Sequence, residues 1–397
     1  MRAAGARLAL ALTLLTGGCS GSMTEIAPGE RPPLHTDEGD LWMEMDRLEQ
    51  QLRTSGVLVR DADLTSYVRD AACRVAGPRC EDIRVYVVRS PGFNASMAPN
   101  GMMQVWTGLL LRVQNEAELA YVLGHEIGHY VRRHSLQAWR DARSKANVVS
   151  FLSLTVGLAG AVVGGGAVGS AAAGGSDLAG RFAALASMNA FSRDNEREAD
   201  LLGVEAMIRT GYDPRQAPKI LERLLEEQAA AKASGPSIFF ATHPPTEERI
   251  ASLRERAERA AAVGGPLPAG AERFLARTLH VRSVLLNDEL RRRQYEAFQV
   301  LLNQLERQGM RLGELTFFQG ELYRLRGESG DEARAIDSYR RALALPDAPP
   351  EAQRNLGLLL TRSGDRGAAR AALERYLQAQ PEAEDRAMIR AHLERLK

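Results

Sequence analysis

The 397-residue chain has few cysteines and almost no net charge, and both shortages exclude classes of protein. Its three cysteines are too few for a disulfide-rich scaffold. The 51 lysines and arginines nearly balance the 50 aspartates and glutamates, so there is no overall basic field to hold nucleic acid, and we expect no such partner. Apolar residues make up 45% and charged residues 25%, a globular average that excludes global disorder and a polytopic membrane protein.

Charge is also scarce at the N-terminus, where the sequence is typical of an export signal. Residues 8–15 form an apolar run that is too short to span a bilayer as a mature helix. The following Leu-Thr-Gly-Gly-Cys-Ser is similar to a bacterial lipobox, except that threonine replaces its usual leucine. We expect 1–18 to be a lipoprotein signal peptide, Cys19 to be lipidated and 19–37 to be a flexible tether, with ordinary signal cleavage as the alternative. Ser20 is not the aspartate associated with inner-membrane retention, which implies the outer membrane.

Apolar periodicity predicts a mainly α (α+β) fold with a small β-sheet. The predicted helices cover 38–76, Asn115 to beyond His134, Phe191–Thr210, Pro214 to about Ala233 and most of the chain after 280, and the predicted extended segments cover 83–88 and 94–106. Glycine and proline then predict a linker at 263–280. This linker would separate a first domain, 38–262, from a second domain, 281–397.

The second domain contains an internal repeat of 34 residues. Leu322 and Leu356 are 34 residues apart, and so are Ala335 and Ala369. A 34-residue period of helix pairs is typical of the tetratricopeptide repeat. We therefore expect 281–397 to form a small superhelix packed on the first domain, with an unrelated helical bundle as the alternative.

The first domain carries the motif His125-Glu-Ile-Gly-His129 inside an apolar helix. Spacing of i and i+4 puts both imidazoles on one helical face, as two ligands of a tetrahedral zinc require. Glu126 lies next to the first ligand, so it can act as a general base without binding the metal. The alternative is a pair of surface histidines on an amphipathic helix.

A third zinc ligand is predicted in a second helix. Glu196 and Asp200 lie one turn apart, so Glu196 can bind zinc while Asp200 accepts the N–H of a ligand histidine. Glu198 is the rival carboxylate, but it lies on a different helix face. His134 follows His129 by five residues, and we interpret it as a structural residue that turns away from the metal. One Zn²⁺ per chain is expected.

Residues 119–129 and 192–200 together resemble the gluzincin metallopeptidases of the HtpX and CAAX-prenyl-protease type. The resemblance covers 40–255 well and the C-terminal part loosely. It implies that 38–262 is a zinc metalloprotease domain with a small β-sheet. A soluble periplasmic branch of this family adds a C-terminal tetratricopeptide domain, as in the layout predicted here.

The resemblance also implies roles for two further pairs of residues. Asn94-Ala95 matches an edge strand that pairs with extended substrate by β-augmentation, with a simple turn at Asn94 as the alternative. His243 and Arg249 match the family's His-Pro motif and its downstream arginine, which belong to the catalytic machinery. In some members this histidine can occupy a fourth zinc position and keep the enzyme latent, whereas in others both residues lie near the substrate. A helix-start role for His243 is the alternative.

Export also bears on the two remaining cysteines, Cys73 and Cys80. They lie seven residues apart around a Gly-Pro pair, so a disulfide would join a helix end to the next strand in an oxidising compartment. Two buried thiols are the alternative.

The expected function is a zinc endopeptidase that is anchored by lipid to the periplasmic face of the outer membrane. It would cleave misfolded or stalled envelope proteins, while its repeat domain recruits clients or the outer-membrane protein assembly machinery. One alternative is a non-proteolytic chaperone or adaptor with a structural zinc, which would not need Glu126. Another is an integral membrane protease, which the uncharged run 146–176 supports only weakly because it is rich in glycine. We favour a lid or membrane-contact segment for this run.

Overall fold

The computed structural model of the chain describes residues 27–144, 191–231, 238–264 and 267–396. The predicted lipidation site Cys19 and the uncharged run 146–176 lie outside the described residues. Within the described ranges, no helix combines the length and the apolar character needed to cross a membrane.

The chain is mostly helical, with three strands near the start of the described part. The elements are α1 (Asp37–Thr54), α2 (Ala62–Ala76), β1 (Arg84–Val88), β2 (Ala95–Met97), β3 (Met102–Trp106), α3 (Thr107–Arg112), α4 (Glu116–Val131), α5 (His134–Ser144), α6 (Arg193–Arg209), α7 (Ala217–Ala230), α8 (Ile238–Thr242), α9 (Glu247–Gly264), α10 (Ala271–Thr278), α11 (Arg282–Leu290), α12 (Tyr295–Glu306), α13 (Leu312–Arg326), α14 (Asp331–Leu343), α15 (Glu351–Ser363), α16 (Arg366–Ala379) and α17 (Arg386–Arg395). The prediction of a mainly α fold with a small sheet is confirmed.

The sheet has the strand order β1-β3-β2, with β1 parallel and β2 antiparallel to β3. Alternation along β2 buries the side chains of Ala95 and Met97 in the main core beside α4. The opposite face of the sheet packs under α1, with Met102 and Trp106 in a smaller core. Strand β2 is an edge strand: on the side away from β3, no strand pairs with it among the described residues.

Helices α4 and α6 pack closely because small residues line their contact. A Cβ atom added to Gly128 would lie 3.2 Å from the Cα of Ala199, and one added to Gly203 would lie 3.2 Å from the backbone nitrogen of His125. This close approach brings the start of α6 to the HExxH turn of α4. The side chain of Asn115 caps α4 by accepting a hydrogen bond from the backbone N–H of Glu118 at 2.9 Å.

The predicted helix over 38–76 is wrong between α1 and α2. Residues 55–61 instead run beside β1, where the N–H of Val59 donates to the carbonyl of Val87 at 2.9 Å. Asp61 then caps α2 by accepting from the N–H of Leu64 at 2.9 Å. In this segment, backbone hydrogen bonds to the edge of the sheet thus replace the hydrogen bonds of a continued helix.

The predicted helix from Asn115 to beyond His134 is also interrupted. It ends at Val131, and Arg133 has a φ of 57°, a left-handed conformation that breaks the i to i−4 ladder. A new helix, α5, starts at His134. The chain therefore changes direction just after the His125–His129 motif.

The predicted linker at 263–280 is wrong for 271–278, which form α10. Phe274 in this helix is only 2% exposed and belongs to the core of the first domain. The N–H of Ala117 donates to the carbonyl of Ala269 at 3.0 Å, which fixes the segment before α10 to the start of α4. A short amphipathic helix thus covers the main core.

The C-terminal helices pack around a second core, in which α13 contacts α14 and α15 contacts α16. A buried arginine joins this part to the first domain. Arg112 in α3 bonds Glu227 of α7 at 2.7 Å and forms an ion pair with Glu289 of α11 at 3.1 Å. Because all three side chains are buried, their charges depend on one another for compensation.

Candidate metal centre

Four buried side chains converge at the junction of α4 and α6: His125, His129, Glu196 and His243. One possible ligand atom from each residue lies within 4.8 Å of all the others. The Nε2 atoms of His125 and His129 are 3.1 Å apart, and Nδ1 of His243 lies 3.3 Å from Nε2 of His125. The carboxylate of Glu196 lies 3.4 Å from His129 and 2.8 Å from His243. Ligands at about 2.0–2.1 Å from a tetrahedral zinc are about 3.3 Å apart, so the set has the right size.

His243 reaches the cluster because α8 holds the chain just before it. Its backbone N–H donates to the carbonyl of Phe239 at 2.7 Å. The ring of Phe239 packs edge-on against Phe93, with 4.8 Å between centroids, in the segment that leads into β2. The structure thus places His243 at the fourth corner of the site, where the resemblance allowed it.

Burial and charge act in opposite directions on these groups. Burial lowers the pKa of His129 well below its ordinary value, which favours the neutral imidazole that a metal needs. Burial alone would raise the pKa of Glu196, but the neighbouring histidines, first His243, lower it overall. For His243, burial is outweighed by Glu196 and Glu126, and its pKa is raised. Glu196 is therefore an anionic carboxylate beside imidazoles, as a candidate metal ligand should be.

Glu126 lies beside the four-residue cluster without joining it. Its Oε1 is 3.6 Å from Nε2 of His243, and this oxygen is buried without a hydrogen-bond partner among the described residues. Burial raises the pKa of Glu126 above its ordinary value. Within the described part of the chain, a buried carboxylate oxygen without a hydrogen-bond partner thus lies next to four side chains that could hold a metal ion. It is placed to accept a proton from a molecule bound at that ion.

Asp200 lies against the first histidine of the motif. Its Oδ1 lies 3.0 Å from Nδ1 of His125, which leaves Nε2 free for a metal. Tyr121 donates to the same carboxylate at 2.7 Å. Arg249 holds Asp200 with two bonds of 2.6 and 2.8 Å, and its Nη1 forms a 2.6 Å ion pair with Glu196. Arg249, predicted as catalytic, therefore clamps two carboxylates of the site.

His134, interpreted as turned away from the metal, is in fact in contact with a candidate ligand. Its Nδ1 lies 2.9 Å from Nδ1 of His129, and its Nε2 lies 3.3 Å from Oε2 of Glu198. Glu198, the rival ligand, does not belong to the cluster of four. No sequence spacing indicates this contact, because it depends on the left-handed turn at Arg133.

The predicted substrate-binding residues Asn94 and Ala95 lie at the edge of the sheet. The carbonyl of Asn94 accepts from the N–H of Trp106, and the N–H of Ala98 donates to the carbonyl of Met102. Alternation then directs the backbone groups of Ala95 away from β3, to the edge of β2 that has no strand beside it in the described ranges, although Ala95 is only 1% exposed. The side-chain amide of Asn94 is buried without a hydrogen-bond partner in the described ranges.

A covalent bond supports the scaffold at the far end of α2. The structure joins Cys73 and Cys80 in the predicted disulfide. It links the last turn of α2 to the short 3₁₀ turn at Gly77–Asp82 that leads into β1.

The site has the features of a metallopeptidase centre. These are two histidines one turn apart, a glutamate from a second helix and a buried glutamate within the first motif. Residues 59–257, half of the chain, match the peptidase family M48, and the chain therefore belongs to this family. The "Beta-barrel assembly-enhancing protease" of Escherichia coli (strain K12) is 32% identical over 218 residues, which are 54% of this chain and 43% of that protein.

Other relatives come from distant organisms. The "Putative beta-barrel assembly-enhancing protease" of Vibrio cholerae is 28% identical over 228 residues, 56% of this chain and 43% of that protein. The "Mitochondrial metalloendopeptidase OMA1" of Arabidopsis thaliana is 33% identical over 191 residues, 47% of this chain and 34% of that protein. The chain thus spans less than half the length of these three relatives.

Proposed function

We propose that the chain is a zinc-dependent endopeptidase that acts on misfolded or stalled proteins of the bacterial envelope. The observation that carries the proposal is the buried Oε1 of Glu126, which has no hydrogen-bond partner in the part of the chain that the structure describes, beside a close set of nitrogen and oxygen donors. Imidazole nitrogens with one carboxylate suit Zn²⁺ among the common metals. A zinc ion held there would polarise a substrate carbonyl and acidify a water molecule.

The residues of the chain supply the remaining requirements for hydrolysis. The edge of β2 at Ala95, which is buried in the described state and must first be uncovered, binds the substrate backbone as an added strand, with little demand on its sequence. Glu126 takes the proton of the attacking water and delivers it to the leaving amine. Burial raises its pKa above the ordinary value of a glutamate, which favours its uptake of a proton.

His243 at the fourth corner makes the described state a latent one. Four protein ligands complete a tetrahedral zinc, whereas a catalytic site keeps one position open. Cleavage therefore requires His243 to withdraw, and Pro244 and Pro245 stiffen the segment that must move with it. A client shifts the equilibrium toward the open state only if it binds that state more tightly.

The envelope location rests on sequence features and on relatives. We propose that Cys19 carries the lipid anchor, which holds the protein at the periplasmic face of the outer membrane. The printed names of the bacterial relatives refer to β-barrel assembly, which supports clients among outer-membrane proteins. The C-terminal helices would recruit these clients or the assembly machinery. Membrane fractionation of the Cys19→Ser variant tests the anchor. Without the lipid, the variant should no longer be found in the membrane fraction.

The closed site also favours a second candidate, a non-proteolytic adaptor with a structural zinc. Glu126→Gln separates the two functions. If the chain is a peptidase, the variant should keep its zinc and lose casein cleavage by at least about 10²-fold. Glu205→Gln, which removes one exposed carboxylate from α6, is the matched control and should cleave at the wild-type rate. Wild-type cleavage by Glu126→Gln would overturn its role as the base.

A further inference from the structure

We propose that His134 and Glu198 are positioning residues that hold the metal ligand His129 through a chain of hydrogen bonds. The first hydrogen bond joins Oε2 of Glu198 and Nε2 of His134, which are 3.3 Å apart. The second joins Nδ1 of His134 and Nδ1 of His129, which are 2.9 Å apart. The inference rests on the proposed metal site, but it concerns residues outside the set of four ligands.

The two distances determine where the protons lie. If Nε2 of His129 faces the metal, its Nδ1 carries the hydrogen and must donate it. Nδ1 of His134 is then the acceptor, so His134 is neutral and carries its own hydrogen on Nε2. That hydrogen points to Glu198, whose carboxylate can only accept. Each bond in the chain thus has one donor and one acceptor.

The arrangement mirrors the support of the other histidine in the motif. His125 donates its Nδ1–H directly to the buried carboxylate of Asp200. His129 reaches its carboxylate, Glu198, through the ring of His134. The distant glutamate is itself held by Arg132, whose Nε lies 2.8 Å from Oε1. Both ligand rings therefore have a hydrogen-bonded partner that fixes tautomer and orientation.

The backbone explains why His134 can reach a residue only five positions earlier. The left-handed conformation of Arg133 ends α4 and starts a new helix at His134, which turns the side chain back toward the motif. His134 is 1% exposed, so its ring is buried. Phe191 stacks on the face of His129 with 3.8 Å between ring centroids, which leaves the ring edge at Nδ1 for the hydrogen bond.

A matched pair of variants tests the proposal. Asn places its Oδ1 where His134 has Nδ1, and Leu places a methyl group there without an acceptor. Zinc affinity is measured on the full chain by competition with a chromogenic chelator. We expect His134→Leu to weaken zinc binding by about 100-fold, while His134→Asn, which keeps an acceptor for His129 but loses the bond to Glu198, weakens it by only about tenfold. Glu198→Ala should weaken binding by about tenfold, and Glu205→Gln should have no effect.

The outcomes separate this proposal from the proposed function. If the wild-type chain binds no zinc, the metal site itself is refuted. If the wild type binds zinc and His134→Leu binds it equally well, only the positioning role is refuted. Equal weakening by His134→Asn and His134→Leu, with the zinc-free proteins unfolding at the wild-type temperature, would also overturn it. If His134→Leu fails to fold, unchanged zinc affinity in Glu198→Ala serves as the refuting result.

Discussion

The close packing of α4 and α6 makes Gly203 a sensitive test of how the metal site is built. A Cβ atom at this position would lie 3.2 Å from the backbone nitrogen of His125 and 3.2 Å from the carbonyl oxygen of Tyr121. Ordinary contacts start at 3.4 Å, so Gly203→Ala must separate the helices by a few tenths of an ångström. Metal sites tolerate ligand shifts of only about 0.2 Å, and Glu196 lies on the helix that moves.

Two effects on stability oppose each other in this variant. Ala in a helix interior is better than Gly by about 1 kcal/mol, whereas overpacking of a core contact costs about 1–3 kcal/mol. We therefore expect the zinc-free protein to lose about 0–2 kcal/mol. The loss of zinc affinity should be larger, because His125 and Glu196 belong to the two helices that separate.

Thermal unfolding with and without zinc, together with chelator competition, measures both quantities. The matched control is Gly367→Ala in α16, where an added Cβ would contact nothing within 4 Å. This control should gain up to about 1 kcal/mol and keep its zinc affinity. The reasoning fails if Gly203→Ala is stabilised like the control and binds zinc as tightly as the wild type.

Two further expectations concern buried charges away from the metal. Arg112→Leu leaves the buried Glu227 without its ion-pair partner and leaves Glu289 paired with Arg292 alone, so urea unfolding should show a loss of about 3–5 kcal/mol, and a loss below about 1 kcal/mol would contradict this account. Hydrogen bonds from Arg326 lower the pKa of Asp331 to about 2, from 3.8 in the unfolded chain. Its stabilising effect is therefore complete above pH 3.8 and lost as the pH falls through about 2. Asp331→Asn should be less stable than wild type at pH 7, with a difference that shrinks toward pH 2, and a pH-independent difference would refute the assignment.

Local spacing is sufficient to predict most of the metal site. One-turn separations within α4 and within α6 fix which side chains share a helix face, and the need for a third ligand from a second helix adds Glu196 to His125 and His129. Asp200 follows from the same rule. These residues depend only on helix geometry and on one helix–helix contact, which glycines at the contact permit.

The residues that sequence reasoning misses depend on tertiary structure. The contact of His134 with His129 requires a non-glycine residue, Arg133, in a left-handed conformation, which its sequence does not predict. Helix α10 lies in a segment whose glycines and prolines indicate a linker, and its burial follows from the shape of the core that Phe274 fills. The break before α2 likewise reflects competition from the sheet.

The most direct test of the central claim is cleavage of an unfolded polypeptide by His243→Ala, alone and combined with Glu126→Gln, after loading with zinc. We expect about one zinc per chain in both variants, because three protein ligands remain. Cleavage by His243→Ala should exceed that of the wild type, and the double variant should not cleave. Zinc-loaded His243→Ala without activity, or equal cleavage by the double variant, would contradict a latent zinc peptidase that uses Glu126 as its base.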